Sequence, residues 1–335
     1  MSDVLDLLVV GAGPTGIAIG AEAIRRGVGV LVMDRGPLTA AIQGYPTFME
    51  FFTTRDRLEI ADIPFTIPDD KPTRRQALSY YRMVVDRYQI PLALYEEVLE
   101  IRKEDKSGEG FAISSTGRQG ARELRARAVA VATGYFGNPR RLGVPGEDLP
   151  WISLRYKEAY PHYRQDVVII GAGNTAAEAA LDLWRNGARV TLVHRGPHVK
   201  PGVKYWVKPD IENRIEEGSI ASRFNSLVCA FREGGVETQG PNGLELLPAH
   251  AAYVLVGYTP EVDLLQRAGV RIDPESLEPA YDPATCESNV PGLYVAGTIQ
   301  AGRRTDRIFI ENSRDHGPLI VDHLARRLAQ VPALT

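Results

Sequence analysis

Two stretches of this chain set glycines after an apolar run at a spacing that suits a pyrophosphate. The first, Gly11-Ala12-Gly13-Pro14-Thr15-Gly16, follows Leu7-Leu8-Val9-Val10 and leads on to Val30-Leu31-Val32-Met33-Asp34. The second, Gly171-Ala172-Gly173-Asn174-Thr175-Ala176, follows Val167-Val168-Ile169-Ile170 and leads on to Val190-Thr191-Leu192-Val193-His194-Arg195. In each, the first glycine permits a tight turn and the second lets the backbone approach a pyrophosphate. The third position, Gly16 or Ala176, lets a helix pack close to the strand. The N-terminus of that helix offers N–H groups and partial positive charge to phosphate oxygens. Gly11 to Gly171, Gly27 to Gly187 and Asp34 to His194 are each 160 positions apart. Among 32 glycines a lone motif would carry little weight. Two complete strand–turn–helix–strand contexts in one register carry much more.

The two copies end in opposite chemistry. Asp34 stands where a carboxylate accepts hydrogen bonds from a ribose diol, and it would repel a 2′-phosphate. His194 and Arg195 occupy the same place in the second copy, with Lys200 and Lys204 downstream. One charge-assisted hydrogen bond contributes roughly 1.5–3 kcal/mol, about 10- to 150-fold in affinity. That is enough to select NADPH over NADH. The residues therefore point to FAD at the first turn and NADPH at the second, with electron transfer between them.

Elements must hold these residues in place. Residues 4–34 read as strand, helix, strand. Residues 45–65, rich in aromatic and polar side chains, read as a loop. Arg74 to Tyr88 has helical spacing, with Ala77, Tyr81, Val84, Val85 and Tyr88 on one face. Residues 98–101 and 111–114 suggest short strands joined by a turn at Ser107-Gly108, and residues 128–132 a buried strand closed by Thr133-Gly134. Residues 137–150, rich in proline and glycine, read as a connector. The second unit closes with the strand Val254-Leu255-Val256. Another strand and glycine turn follow at residues 292–297, and a terminal helix is expected over residues 310–328. No third nucleotide motif follows the second unit. The simplest topology is an α/β fold of two Rossmann-like domains, the NADPH domain (residues 137–257) inserted into an FAD domain (residues 1–136 and 258–335).

Composition narrows the function classes. A length of 335 residues suits about two domains. The net charge of −3 gives no case for nucleic acid or an anionic membrane. No apolar run approaches the roughly twenty residues of a membrane span. Asp3 and Asp6 precede Leu7 where a secretory signal would carry basic residues. Two cysteines exclude a disulfide framework and a four-cysteine metal site. Neither these nor the six histidines show metal-ligand spacing. The expectation is a cytoplasmic protein with no metal.

The strings Gly11–Gly16, Ala132-Thr133-Gly134, Gly171–Ala176 and Gly292–Gly297 together resemble the two-dinucleotide flavoproteins of the low-molecular-weight thioredoxin reductase type. Residues 45–52, Leu58-Glu59-Ile60 and residues 308–317 are most similar to its bacillithiol disulfide reductase branch. The resemblance spans nearly the whole chain. It implies FAD between the first glycine turn and Gly297, with Ala132, Thr133 and Gly134 passing beside it. Arg35 and Val98 join Gly11, Gly13, Pro14, Thr15, Gly16 and Asp34 as expected flavin-nucleotide contacts. It also implies a helix starting near Ile308 and Phe309 whose N-terminus faces the flavin. The NADPH set is Gly171, Gly173, Asn174, Thr175, Ala176, His194, Arg195, Lys200 and Lys204. A small-molecule disulfide, by resemblance bacillithiol disulfide, is the implied acceptor, and relatives imply a homo-oligomer, dimer or tetramer.

Two departures matter. Thioredoxin reductases carry a C-x-x-C pair, whereas Cys229 and Cys286 are single here, so a dithiol relay is not available. The bacillithiol branch lacks the pair as well. The acidic residue common after the last glycine turn is Thr298 in this chain, leaving a ribityl hydroxyl to Thr298 or to backbone. Cys229 reads as a small core residue and Cys286 as an inert loop residue. His316 is a residue either of the active side or of a helix end. No catalytic residue is legible. Three rivals share parts of the pattern: a flavin monooxygenase, a ferredoxin–NADP reductase, and a redox-sensing binding protein without turnover.

Overall fold

The computed structural model describes residues 4–104 and 110–330. The chain forms two compact units. One comprises Met1–Gln43, Met49–Asn138 and Thr259–Thr335, the other Gly44–Phe48 and Pro139–Tyr258. The chain thus leaves the first unit after Asn138 and returns at Thr259. The turn expected at Ser107-Gly108 lies outside the described residues.

The first unit is built on a seven-stranded sheet. Its order runs Leu92–Leu94, Val30–Asp34, Val4–Val10, Gly120–Val131, Phe111–Gly117, Glu96–Lys103, and Leu293–Val295 also pairs with Gly120–Val131. The Val4–Val10 strand lies parallel between Val30–Asp34 and Gly120–Val131. Leu7, Leu8 and Val9 are fully buried, as an unbroken apolar run in a parallel sheet must be. The chain leaves this strand through the Pro14–Arg25 helix toward Val30–Asp34 on one side. The neighbour on the other side comes from much later in the sequence. That reversal of strand order is where a crevice opens at the strand ends. The Gly120–Val131 strand is longer than expected, because its first half pairs antiparallel with Phe111–Gly117. The strand ends at Val131, and the Ala132 amide still donates to the Val10 carbonyl at 2.7 Å.

The second unit repeats the plan. Its parallel sheet runs Ala221–Arg223, Arg189–Val193, Asp166–Ile170, Ala251–Val254, Ile152–Ser153, with the Asn174–Arg185 helix after the central strand. Here too the strand order reverses beside the glycine turn. A separate antiparallel meander of Leu227–Arg232, Gly235–Gly240 and Gly243–Pro248 precedes the closing strand. That closing strand is Ala251–Val254, not residues 254–256. Leu255 lies beyond its end, where its carbonyl backs the glycine turn. Within this unit the Thr47 amide donates to the Lys157 carbonyl at 3.1 Å, which ties the Gly44–Phe48 segment in.

The terminal helix expected over residues 310–328 is broken. A single turn, Ile310–Ser313, precedes a long helix, His316–Gln330. Pro318 explains the break. It has no amide to donate to the Arg314 carbonyl, and its ring collides with that carbonyl in a continuous helix. The helix expected to start near Ile308 is therefore only this one turn, beginning at Ile310.

Candidate functional site

The two glycine turns are built alike. Gly11 has φ +116°, and a Cβ there would sit 2.4 Å from the Ala132 carbonyl oxygen. Gly171 has φ +128°, and its Cβ would sit 2.3 Å from the Leu255 oxygen. Both positions demand glycine for conformation and for space. A Cβ on Gly16 would lie 1.8 Å from the Gly11 oxygen. Ala176 fills the corresponding place and is fully buried.

The middle glycines differ in kind. A Cβ on Gly13 or Gly173 would meet nothing within 4 Å. Both have ordinary extended backbone, with φ −80° and −89°. Nothing in the fold requires glycine there, yet each faces open space at a helix N-terminus. Neither helix carries a side-chain cap or an acidic residue in its first turn. The first N–H groups of a helix have no intrahelical partner, so the arrangement suits a pyrophosphate oxygen close to the backbone. The residues present fit two dinucleotides.

In the first unit the structure gathers most of the expected flavin set. The Asp34 carboxylate accepts from the Ala12 amide at 2.8 Å and from the Gly36 amide at 2.8 Å. Each oxygen keeps a second lone pair for a ribose hydroxyl. Thr15 Oγ1 lies 3.0 Å from Ser313 Oγ, and Ser313 donates to the Phe309 carbonyl at 2.7 Å. A Cβ on Gly297 would be 2.9 Å from Thr15 Oγ1, and one on Gly134 would be 3.1 Å from Thr298 Oγ1. Thr15, Gly134, Gly297 and Thr298 thus surround one place, with Pro14 opening the helix beside them. Ala132 is half-buried and Thr133 exposed. Ile308 is half-buried and Phe309 exposed, just ahead of the single-turn helix.

Two expected flavin contacts sit differently. The Val98 side chain packs in the core with Leu8, Val10 and Met33, so only its backbone is available to a ligand. The Arg35 guanidinium lies 2.9 Å from a Glu261 oxygen and 3.7 Å from one of Glu97.

His316 opens the long helix and accepts at Nδ1 from the Gly297 amide at 3.0 Å. Burial pushes its pKa down to about 4. It is therefore neutral at physiological pH, and the Gly297 bond fixes the tautomer that carries its proton on Nε2. It ties a helix end to the last glycine turn.

In the second unit, His194 is half-buried at the end of the Arg189–Val193 strand, and Arg195 and Lys200 are exposed. The His194 pKa is lowered, by burial first and then by Lys200, Arg195 and His198. Part of the shift comes from these neighbouring basic side chains. No ion pair to Arg195, His198 or Lys200 forms among the described residues. The Lys200 amide donates to the Ala172 carbonyl at 3.0 Å and the Lys204 amide to Asn174 Oδ1 at 2.9 Å, so this loop is held against the glycine turn. The Lys204 ammonium lies 5.9 Å from the Trp206 ring centroid. Thr175 is exposed beside Asn174.

One residue escaped the sequence. Glu178, half-buried in the second turn of the Asn174–Arg185 helix, has its pKa raised to about 7 by burial. Its helical position gave no warning; only the packing above it does. The unfolded chain releases this proton near the ordinary value of 4.5, whereas the folded chain holds it to about 7. This contribution to stability is present below pH 4.5, falls as pH rises to about 7, and stays lost above. Glu178→Gln removes that loss. At pH 8 the variant is expected to be more stable than the parent by about 3 kcal/mol, and at pH 4.5 close to it. Thermal melts at the two pH values check this, and equal gains at both would refute it.

Cys229 lies on the meander, and the Cys286 carbonyl accepts from the Val295 amide at 2.9 Å, on the strand that leads to the Gly297 turn. Cys286 is buried, and burial pushes its thiol up to about 11. Cys229 is half-buried on the meander rather than in the core, because its strand edge leaves that side partly open. Among the described residues no group of three His, Cys, Asp or Glu is arranged to hold a metal ion, and no helix is long and apolar enough to cross a membrane.

The sequence model of the pyridine nucleotide-disulphide oxidoreductases matches residues 8–297. The chain belongs to that family. As an oxidoreductase of this family it is similar over its whole length to the bacilliredoxin reductase Bdr of Bacillus subtilis (strain 168). The two are 36% identical over 321 residues, 96% of this chain and 97% of that protein. Its fold superposes on the bacillithiol disulfide reductase Bdr (YpdA) from Bacillus cereus with a TM-score of 0.93 at 35% identity, covering 96% of this chain and 99% of that one. Thioredoxin reductase from Lactococcus lactis shares the fold, with a TM-score of 0.77 at 18% identity over 98% of this chain and all of that one. FAD and NADPH are the cofactors that this family membership and the two turns agree on.

Proposed function

We propose that this oxidoreductase uses NADPH and FAD to reduce bacillithiol disulfide, working in the cytoplasm as a homo-oligomer. The observation that carries the reading is the pair of open, uncapped glycine turns in a chain akin over its full length to disulfide reductases. The net reaction is one disulfide, one NADPH and one proton giving two thiols and NADP⁺. When bound, FAD supplies the two-electron chemistry between NADPH and disulfide.

The chain's own residues bind and orient. Gly13 and the Pro14–Arg25 helix N-terminus hold one pyrophosphate, and Asp34 holds its ribose. Gly173 and the Asn174–Arg185 helix N-terminus hold the other, with His194, Arg195 and Lys200 around the 2′-phosphate. Thr15, bonded to Ser313, and Gly297, bonded to His316, keep the flavin cradle rigid.

The name of the B. subtilis relative supports a second acceptor, a disulfide carried on a bacilliredoxin. The ferredoxin–NADP reductases and flavin monooxygenases match this chain more distantly. Steady-state NADPH oxidation with bacillithiol disulfide, bacilliredoxin disulfide, thioredoxin, ferredoxin and oxygen alone decides among them. Turnover with ferredoxin or oxygen and none with the disulfides sinks the proposal. Gel filtration at several protein concentrations tests the oligomer, and a monomer throughout removes that part.

No protein thiol is needed in this scheme. Cys286 holds negligible thiolate at neutral pH, and a thiol without thiolate is a poor nucleophile. The Cys229→Ser/Cys286→Ala double variant is expected to keep the parent's kcat for disulfide reduction. Loss of disulfide turnover with intact NADPH-to-flavin transfer would require a thiol relay instead.

A further inference from the structure

The turn between Val203 and the Lys208–Glu216 helix carries two aromatic rings that the fold does not bury. Tyr205 is 82% exposed and Trp206 42%. Trp151 and Trp184, the other tryptophans, are both more enclosed. The two rings stand at 88° with centroids 4.8 Å apart, forming an open corner. Lys204 Nζ lies 5.9 Å from the Trp206 ring centroid, a separation at which a cation is still drawn to an aromatic face.

This corner is tethered to the nucleotide turn. The Lys200 amide donates to the Ala172 carbonyl, the Lys204 amide to Asn174 Oδ1, and Asn174 Nδ2 to the Gly202 carbonyl at 3.4 Å. All three bonds join residues 200–204 to the loop that faces the pyrophosphate. The same segment bears Lys200, one of the cations expected at the 2′-phosphate. In NADPH the ribose that bears the 2′-phosphate also bears adenine. A ring carried a few residues from the phosphate-reading lysine is therefore within reach of the base.

Two exposed rings side by side make a contiguous apolar patch, the kind of surface that marks a ligand site. A flat base can cover it, since stacking on an aromatic face is tolerant of register and gains from displaced water. We infer that Tyr205 and Trp206 form the adenine subsite of the second nucleotide site. This rests on the NADPH reading above. Tyr205 offers the open face, and Trp206 backs it edge-on, braced by Lys204. The subsite positions the nucleotide and takes no part in electron transfer.

The test uses the purified full-length protein and two probes, 2′,5′-ADP and inorganic pyrophosphate, followed by calorimetry. The parent is expected to bind both. Tyr205→Ala is expected to weaken 2′,5′-ADP about tenfold and to leave pyrophosphate unchanged, and Tyr205→Phe to restore the parent's affinity. Because Tyr205 is exposed, its removal leaves the core intact, and circular dichroism verifies this. Trp206→Ala is expected to act in the same direction. In kinetics, Tyr205→Ala raises KM for NADPH and leaves kcat alone, and reduced nicotinamide mononucleotide, which lacks adenine, is used as before. Unchanged 2′,5′-ADP affinity in both alanine variants overturns the subsite while the NADPH reading stands. Failure of the parent to bind 2′,5′-ADP at all overturns both.

Discussion

Gly13→Val is expected to purify folded and colourless, whereas Gly16→Ala is expected to fold poorly. The two glycines are three residues apart in one motif, yet physics assigns them different jobs. At Gly13 the backbone is extended at φ −80°, which any residue adopts, and an added Cβ meets nothing within 4 Å. Valine therefore costs the apo fold little. Its methyl groups instead occupy the space where a pyrophosphate would meet the helix N-terminus. The hydrogen bonds that they block, from backbone amides to phosphate oxygens, are charge-assisted. Each contributes roughly 1.5–3 kcal/mol, so flavin affinity falls by about two orders of magnitude or more. At Gly16 a Cβ would stand 1.8 Å from the Gly11 oxygen. Only a backbone shift relieves that, at about 3 kcal/mol or more. The ratio of flavin to protein absorbance, with far-ultraviolet circular dichroism and a thermal melt, separates the outcomes. A yellow Gly13→Val protein with parental flavin content would remove the pyrophosphate from this turn. Gly173→Val repeats the experiment in the second unit, where the prediction is lost NADPH binding with flavin retained.

Most of this architecture is legible in the sequence because it is local. Gly11, Gly13 and Gly16 answer to backbone demands within a few residues, and the apolar runs before them read as buried strands. The 160-residue repeat then makes the second unit as clear as the first. What the sequence hides is set by partners distant along the chain. The break after Ser313 is an exception, written locally in Pro318, and the expected continuous helix passes over it. Gly44–Phe48 groups with the second unit through Thr47 and Lys157, more than a hundred positions apart. Val98 and Arg35 show that a residue beside a site can be spent on its core or its carboxylates. Glu178 is the reverse case. On a helical wheel it is one more acid, and only burial in the folded unit makes it titrate near neutrality.

Removing the cations of the second turn is expected to erase the preference for NADPH. No described carboxylate forms an ion pair with Arg195 or Lys200, and after burial both of these cations lower the pKa of His194 at the strand end. The 2′-phosphate is the one feature that distinguishes NADPH from NADH. With about 10- to 150-fold at stake for each charge-assisted bond, the Arg195→Ala/Lys200→Ala variant should lose at least about a hundredfold in kcat/KM for NADPH. NADH, which lacks that phosphate, should be used as before. The preference should also fade with added salt, since exposed charges are screened over roughly 8–10 Å at moderate ionic strength. His194 enters differently. Burial first, then Lys200, Arg195 and His198, lower its pKa, which favours the neutral imidazole as a hydrogen-bonding group over a charge. The NADPH-to-NADH ratio should accordingly stay flat between about pH 7 and 8.5, above the second ionisation of the phosphate near 6. A ratio that falls steeply across that range would mean a charged His194 holds the phosphate. A parent enzyme that uses NADH as well as NADPH would mean that the cluster at Arg195 and Lys200 serves some other ligand.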